Sequence, residues 1–278
     1  MKRTLIVCTA VLPMLAASAF AAPSAKFTAV YGNNGPYLTS MVEVTGTTVD
    51  ATAFQQNEGF TFATIKVPQD KELLIGVSSE VGLTTDTSIK GKEGGKARAI
   101  AGASGAVIVI AHNTDPDCDE ANGDTCNVVA QPGGITLASR VQQLDATLGG
   151  VYDCVDSSGD GVIQYNECGY TDEEIGLILQ TVSANHFNFV APNLDAGTYN
   201  VTAYFTTRTE ATVCIDDSIT ECDGFTPSEV GTVEARAYAE AFIGSYMVTV
   251  QQVRAVQGDI DFMDIDVELC SGTNCPGD

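Results

Sequence analysis

From Phe27 onward the chain alternates apolar and polar residues in short runs, with turn residues between them. Phe27–Tyr31, Leu38–Val44, Phe60–Val67 and Leu73–Val77 are rich in β-branched and aromatic side chains, the composition of half-buried strands. Gly32-Asn-Asn-Gly-Pro36, Asn57-Glu-Gly59 and Pro68-Gln-Asp70 read as the turns that separate them. Lys90–Arg98 reads as an exposed hairpin or loop. Ala106-Val-Ile-Val-Ile-Ala111 is apolar without a break, as a strand buried on both faces would be. Ile135–Leu148 fits two periods, because Leu137, Val141, Leu144 and Leu148 also have helical spacing. The surrounding strands favour a strand with a bulge there. Phe187–Phe189, Thr198–Phe205, Val233–Phe242 and Tyr246–Val256 read as further strands, and in the second of these Tyr199, Val201, Ala203 and Phe205 share one face. Ile260–Leu269 alternates apolar residues with Asp259, Asp261, Asp264, Asp266 and Glu268, the pattern of a terminal edge strand whose charges block unwanted pairing. About twelve strands set off by turns predict a mainly β chain with a β-sandwich or jelly-roll-like body.

One stretch breaks the β pattern. Thr171-Asp-Glu-Glu174 has the form of a capping box, and Ile175, Ile178, Leu179 and Val182 follow at helical spacing. This predicts one short α-helix, inserted with the loop before it at about residues 150–183. Gly149-Gly150 interrupts any helix entering that loop.

The loop is Asp156-Ser-Ser-Gly-Asp-Gly-Val-Ile-Gln-Tyr-Asn-Glu167. Oxygen side chains stand at positions 1, 3 and 5 (Asp156, Ser158, Asp160). Gly161 follows at position 6, and Glu167 closes the loop at position 12. These twelve residues resemble the calcium loop of the EF-hand family. A hard cation of this size takes about six to eight oxygens, so the chain must wrap around it. The resemblance implies Asp156, Ser158, Asp160, the Val162 carbonyl, Gln164 directly or through water, and a bidentate Glu167 as ligands. Ser158 stands where Asp or Asn is usual, which removes a charge and weakens the site. With one helix and no paired second loop, the site reads as a structural clip rather than a switch.

Composition narrows the setting. Met1-Lys-Arg3, an apolar run from Leu5 to Ala17 and Ala19-Phe-Ala21 predict a signal peptide over residues 1–21, leaving 22–278 as a single domain. No other stretch has the length of about 18 apolar residues that a membrane-spanning helix needs. Removing the leader's two basic residues takes the net charge from −23 to −25. Such a balance disfavours nucleic acid and anionic membrane surfaces, and it suits cations. Beyond Cys8, eight cysteines fall into four close neighbours: Cys118 with Cys126, Cys154 with Cys168, Cys214 with Cys222, and Cys270 with Cys275. An even number in an exported chain implies disulfides, and short loops close most easily, so four local pairs are expected. Zinc is disfavoured by the wide cysteine spacings and by the presence of only two histidines, His112 and His186.

Two acidic stretches, Asp115–Cys126 and Cys214–Cys222, read as stapled, solvated tips. The first carries Asp115, Asp117, Asp119 and Asp124 as oxygens for a second ion, in an order that matches no calcium motif. No nucleophile elbow and no His-Glu-x-x-His pair occurs, and Gly91–Ala97 lacks the hydroxyl of a phosphate loop. His112 and His186 read as structural residues, and nothing singles out a catalytic pair among the acids, so the chain reads as a non-enzyme. The expectation is a secreted (periplasmic, cell-surface or extracellular), calcium-binding, disulfide-stapled structural or adhesive protein. The alternative is a calcium-dependent glycan-binding module using Tyr31, Tyr37, Tyr204, Tyr238 or Tyr246, and a secreted hydrolase ranks below both.

Overall fold

The computed structural model describes residues 26–32, 38–46, 48–68, 71–122, 126–215, 222–226 and 232–253. The leader expected at 1–21, the strand expected at 260–269, and both Cys270 and Cys275 lie outside these residues. The described residues hold thirteen strands. They are β1 (Phe27–Gly32), β2 (Leu38–Thr45), β3 (Val49–Gln56), β4 (Phe60–Val67), β5 (Lys71–Lys92), β6 (Gly95–Asn113) and β7 (Asn127–Val129). The rest are β8 (Ile135–Leu148), β9 (Tyr152–Cys154), β10 (Cys168–Tyr170), β11 (Glu173–Leu194), β12 (Gly197–Cys214) and β13 (Thr232–Val253).

Two antiparallel sheets face each other. In the first, β13 pairs β1 and β2 on one side and β5 on the other, and β11 forms the far edge on β5. In the second, β12 pairs β3 and β4 on one side and β6 on the other, and β7 and β8 share the far edge on β6. The mainly β, sandwich-like architecture is therefore as the alternation indicates. Several strands are much longer than their apolar runs. In β5 the inward row continues past Val77 as Ser79, Val81, Leu83, Thr85, Thr87 and Ile89. Its threonines and serine disguise the period, yet each has strand propensity and only one face to bury. The turn from β5 to β6 is Glu93-Gly94, with φ of 71° and 84°, the backbone of a tight hairpin whose twist matches its strands.

The core is graded along the sandwich. At one end Phe62, Phe205 and Tyr246 meet edge to face or tilted, with ring centroids 5.2–6.4 Å apart. Toward the other end, alanines line both facing sheets: Ala97, Ala99, Ala101 and Ala103 on β6, and Ala235, Ala237, Ala239 and Ala241 on β13, all buried. Small side chains there let β6 and β13 approach with Cα atoms within 8 Å, closer than the usual ~10 Å between packed sheets.

A polar clamp crosses this alanine end. Gln142 on β8 is 4% exposed. Its carbonyl oxygen accepts a hydrogen bond from Thr85 Oγ1 (2.8 Å), and its amide nitrogen donates to Thr87 Oγ1 (2.7 Å) and to the Leu177 carbonyl (2.6 Å). One side chain thus ties the edge of the second sheet to β5 and β11 of the first.

Ile135–Leu148 is a strand, and its register against β6 shifts between Gly105 and Ala106, which is the expected bulge. The helix expected after Thr171 is absent. Residues 173–191 instead pair with β5 without a break in register. Both Ile175/Leu177/Leu179 and Ile178/Val182 are apolar, so the two faces of the strand together imitate a helical stripe. Nineteen consecutive cross-strand pairs outweigh the local capping signal, because the β5 ladder bonds alternate residues of the strand along its whole length. The excursion from the sandwich is therefore the β9–β10 hairpin between Gly149 and Asp172.

Candidate functional site

The residues expected to form a calcium loop, Asp156–Glu167, lie at the tip of the β9–β10 hairpin. Cys154 and Cys168 are directly opposite in its ladder and form a disulfide, with Cα atoms 4.0 Å apart. Tyr152 stacks on Tyr170 two pairs down, with ring centroids at 4.0 Å. The hydrogen bond with Tyr170, then desolvation and Tyr165, push the Tyr152 phenol well above its ordinary range. The base of the hairpin is tied by Thr171, whose N–H and hydroxyl both donate to the Val151 carbonyl (2.9 and 3.1 Å). Glu173 accepts from the Gly150 N–H (2.9 Å).

Within the loop the carboxylates organise the backbone. Asp156 accepts from Ser158 Oγ (3.1 Å), Gly159 N–H (2.7 Å) and Gly161 N–H (2.8 Å). Asp160 accepts from Val162 N–H (2.8 Å) and Gln164 Nε2 (3.3 Å). Glu167 reaches across the loop and accepts from Ser158 N–H (2.8 Å), Ser157 Oγ (3.1 Å) and Gln164 N–H (2.9 Å). Gly159 and Gly161 take φ of 70° and 83°, the left-handed region that glycine enters without steric cost. These bonds hold two carboxyls below their ordinary pKa values. Gly161 N–H is the largest cause for Asp156, and Gln164 N–H for Glu167.

The six expected ligands are thus in one loop, and Glu167 is folded back over Ser158. Among the described residues, however, no three His, Cys, Asp or Glu side chains converge closely enough to hold a metal ion. The carboxylates are engaged with the loop's own amides, although each keeps lone pairs beyond those it uses. The donor set is hard oxygen throughout, which fits calcium in kind. The flanks are strands, so the loop is carried by a hairpin rather than by a helix–loop–helix.

Two further expected disulfides are present. Cys118–Cys126 closes the loop between β6 and β7, and Cys214–Cys222 closes the end of β12. The latter pair is buried with Phe225, over whose ring Lys96 and Arg98 lie at 5.1 and 5.5 Å. Cys270 and Cys275, expected as the fourth pair, lie outside the described residues. In the first acidic tip, Asp115 accepts from Asp117 N–H and Asp119 from Ala121 N–H, each a local turn closure. Asp124 lies outside the described residues.

Both histidines make hydrogen bonds to polar side chains. His112 contacts Asn127 (2.7 Å) and Tyr204 (3.4 Å). His186 bridges Ser78 (2.8 Å) and Asn188 (3.2 Å) on an open sheet face. Two shallow depressions carry one carboxylate each, Glu210 in one and Glu80 in the other.

A feature missed in the sequence is the first half of β11. Residues 174–182 are exposed, and they include Ile175, Leu177, Ile178, Leu179 and Val182. The signal was there in the run Ile175–Ala184, which has no charge and no proline, the profile of a pairing-prone strand.

No protein-family model matches the chain, and no curated protein does. Among solved structures it is similar to a CocE/NonD family hydrolase from Staphylococcus aureus, at 11% identity over 82% of this chain and 38% of that one, with a TM-score of 0.21. It is also similar to the infectious bursal disease virus Gx strain structure, at 11% identity over 90% of this chain and 45% of that one, with a TM-score of 0.12. The chain spans less than half the length of these structures. At those TM-scores neither likeness bears on function.

Proposed function

We propose that this is a secreted structural or adhesive protein whose β9–β10 hairpin tip binds one calcium ion. The observation that carries the reading is the Asp156–Glu167 loop. It has hard-oxygen ligands in EF-hand order, a glycine turn at Gly161, and a disulfide that closes its base. Calcium at this loop supplies charge neutralisation. Asp156, Asp160 and Glu167 place three negative charges within twelve residues, and an ion among them removes that repulsion. Extracellular modules of this type bind calcium at roughly 0.1–1 mM. Calcium at ten times that constant adds about 1.4 kcal/mol to the ordered loop. The disulfide restricts the open loop beforehand, so less entropy is lost on binding. Three local disulfides and the absence of a membrane-length apolar helix among the described residues support an oxidising, exported setting.

Hydrogen exchange of the oxidised protein tests the loop directly. Calcium should slow exchange at Ser158, Gly159, Gly161 and Gln164 relative to EDTA, and Glu167→Gln should lose the difference. Equal exchange in both buffers would remove calcium from the reading and leave a disulfide-closed turn.

A calcium-dependent glycan-binding module is the second reading. Phe27 and Tyr31 on β1 favour it, being 64% and 77% exposed on the same face of one strand. Tyr37 lies outside the described residues, and Tyr246 is buried. Binding to polysaccharide that Tyr31→Ala abolishes would promote this reading over the first.

A further inference from the structure

Along residues 174–182 the outer edge of β11 faces no described strand. Val190 N–H and C=O both bond to Gln131 on the side away from β5 (2.9 and 2.8 Å). Backbone groups alternate sides along a strand. Because the ladder with β5 keeps one register from Glu173 to Ala191, the even-numbered residues 174–188 present their N–H and C=O groups to that same outer side. Apart from the isolated bridge at Val190, no described strand pairs there. Residues 174–182 therefore carry five N–H and C=O pairs at a sheet edge, beside five exposed apolar side chains.

We propose that a second copy of this chain covers the edge, by antiparallel β11–β11 pairing about a two-fold axis at Ile178. With Ile178 opposite its own copy, Gly176 meets Gln180 and Glu174 meets Val182. All of these are even-numbered, so their free backbone groups face one another and form a continuous ladder. Between them, Leu177 meets Leu179 and Ile175 meets Thr181 on the face toward the second sheet. At the axis Ile178 meets its own copy and Leu177 meets Leu179, while Ile175 and Val182 meet Thr181 and Glu174, and no charge opposes a like charge. A shift of the axis by half a residue would oppose groups already bonded to β5 and would set apolar side chains on opposite faces, and a shift by a whole residue would move Ile178 off its own copy and onto Gly176 or Gln180.

Charge and coverage favour this occupant. The chain carries a net charge of −23, which disfavours close approach of two copies, yet Ile175–Asn185 has no charged residue. Ile175, Leu177, Ile178, Leu179 and Val182 are 41–63% exposed, and covering them on both copies removes on the order of 1,000 Å², the scale at which a specific interface begins. Residues 254–278 are the competing occupant. They come after Val253, which pairs with Glu72 at the opposite end of the sandwich from Glu173 and Gly91. The Gln131–Val190 bridge closes the edge on that side. They would also bring an acidic row toward Glu174.

Sedimentation of the oxidised full-length chain, in calcium and in EDTA alike, tests the pairing without depending on the calcium reading. Wild type should sediment with the mass of a dimer. Ile178→Lys and Ile178→Glu should each sediment as monomers with unchanged circular dichroism, since position 178 is exposed and each variant opposes its own charge. An equal mixture of the two should recover the dimer, because only a two-fold at residue 178 brings Lys against Glu. A wild-type monomer up to the solubility limit would overturn the proposal. So would a dimer that neither variant weakens by tenfold, or a mixture no more associated than its parts.

Discussion

Replacing Gln142 with methionine tests how the two sheets are joined at their alanine-lined end. Methionine keeps the length and volume but removes both donors and the acceptor. Thr85 and Thr87 are fully buried, and Gln142 is the partner of both hydroxyls. A buried polar group left without a partner costs about 1–3 kcal/mol. With two hydroxyls affected and the apolar gain of methionine set against them, the loss should be about 3 kcal/mol. For a chain of this size each kcal/mol moves the midpoint by about 2–4 °C, so calorimetry should register a fall of roughly 6–12 °C. Gln142→Glu should be worse at neutral pH, because it sets a charge toward the Leu177 carbonyl in a buried site. Burial raises that carboxyl's pKa in the folded chain above its unfolded value. The added loss is therefore absent below the unfolded value and grows as pH rises through the folded one. A methionine variant melting within about 2 °C of wild type, on the scale of the same conversion, would refute the clamp.

Other perturbations separate local from global effects. Cys154→Ser with Cys168→Ser should open the hairpin to proteases between Val155 and Glu167, while the melting midpoint of the sandwich stays put, because β9 and β10 pair only with each other. Ala101→Leu should cost about 1–3 kcal/mol by overfilling the alanine end, read by urea unfolding. Gly82→Ala should also destabilise, since a Cβ there would stand 1.9 Å from the Phe242 ring that lies over it; Gly82→Ala with Phe242→Ala should recover part of the loss. The carboxyls of Asp156 and Glu167 are held below their ordinary values by backbone N–H groups. Their ordering of the loop is therefore present above the unfolded carboxylate range and is lost as pH falls through the lowered folded values. Protection of the Gly161 and Gln164 amides, measured against their intrinsic exchange rates, should hold at about pH 5 and fall below the ordinary carboxylate range.

The β architecture was legible because most strands keep an inward apolar row, as in Tyr199, Val201, Ala203 and Phe205. Strand lengths were not, because in β5 the row runs on through Ser79, Thr85 and Thr87, which look like loop in isolation. The three described disulfides follow the local pairing expected from an even cysteine count and short spacings, which the sequence by itself does not single out among the possible pairings. Residues 173–182 were misread as a helix for a physical reason. Ile175, Ile178, Leu179 and Val182 are spaced for one, and only the partner β5, far away in sequence, supplies the competing ladder. The EF-hand-like order of oxygen side chains in Asp156–Glu167 is plain in the sequence. Its β-hairpin setting was hidden because residues 173–182, just beyond β10, carry that helical spacing.

The most direct test of the calcium clip is a calorimetric titration of the oxidised full-length chain with calcium chloride, beside Glu167→Gln. One ion per chain with a dissociation constant of roughly 0.1–1 mM, lost in the variant, is the predicted result. No saturable binding in the wild type, or equal binding in both proteins, would contradict it.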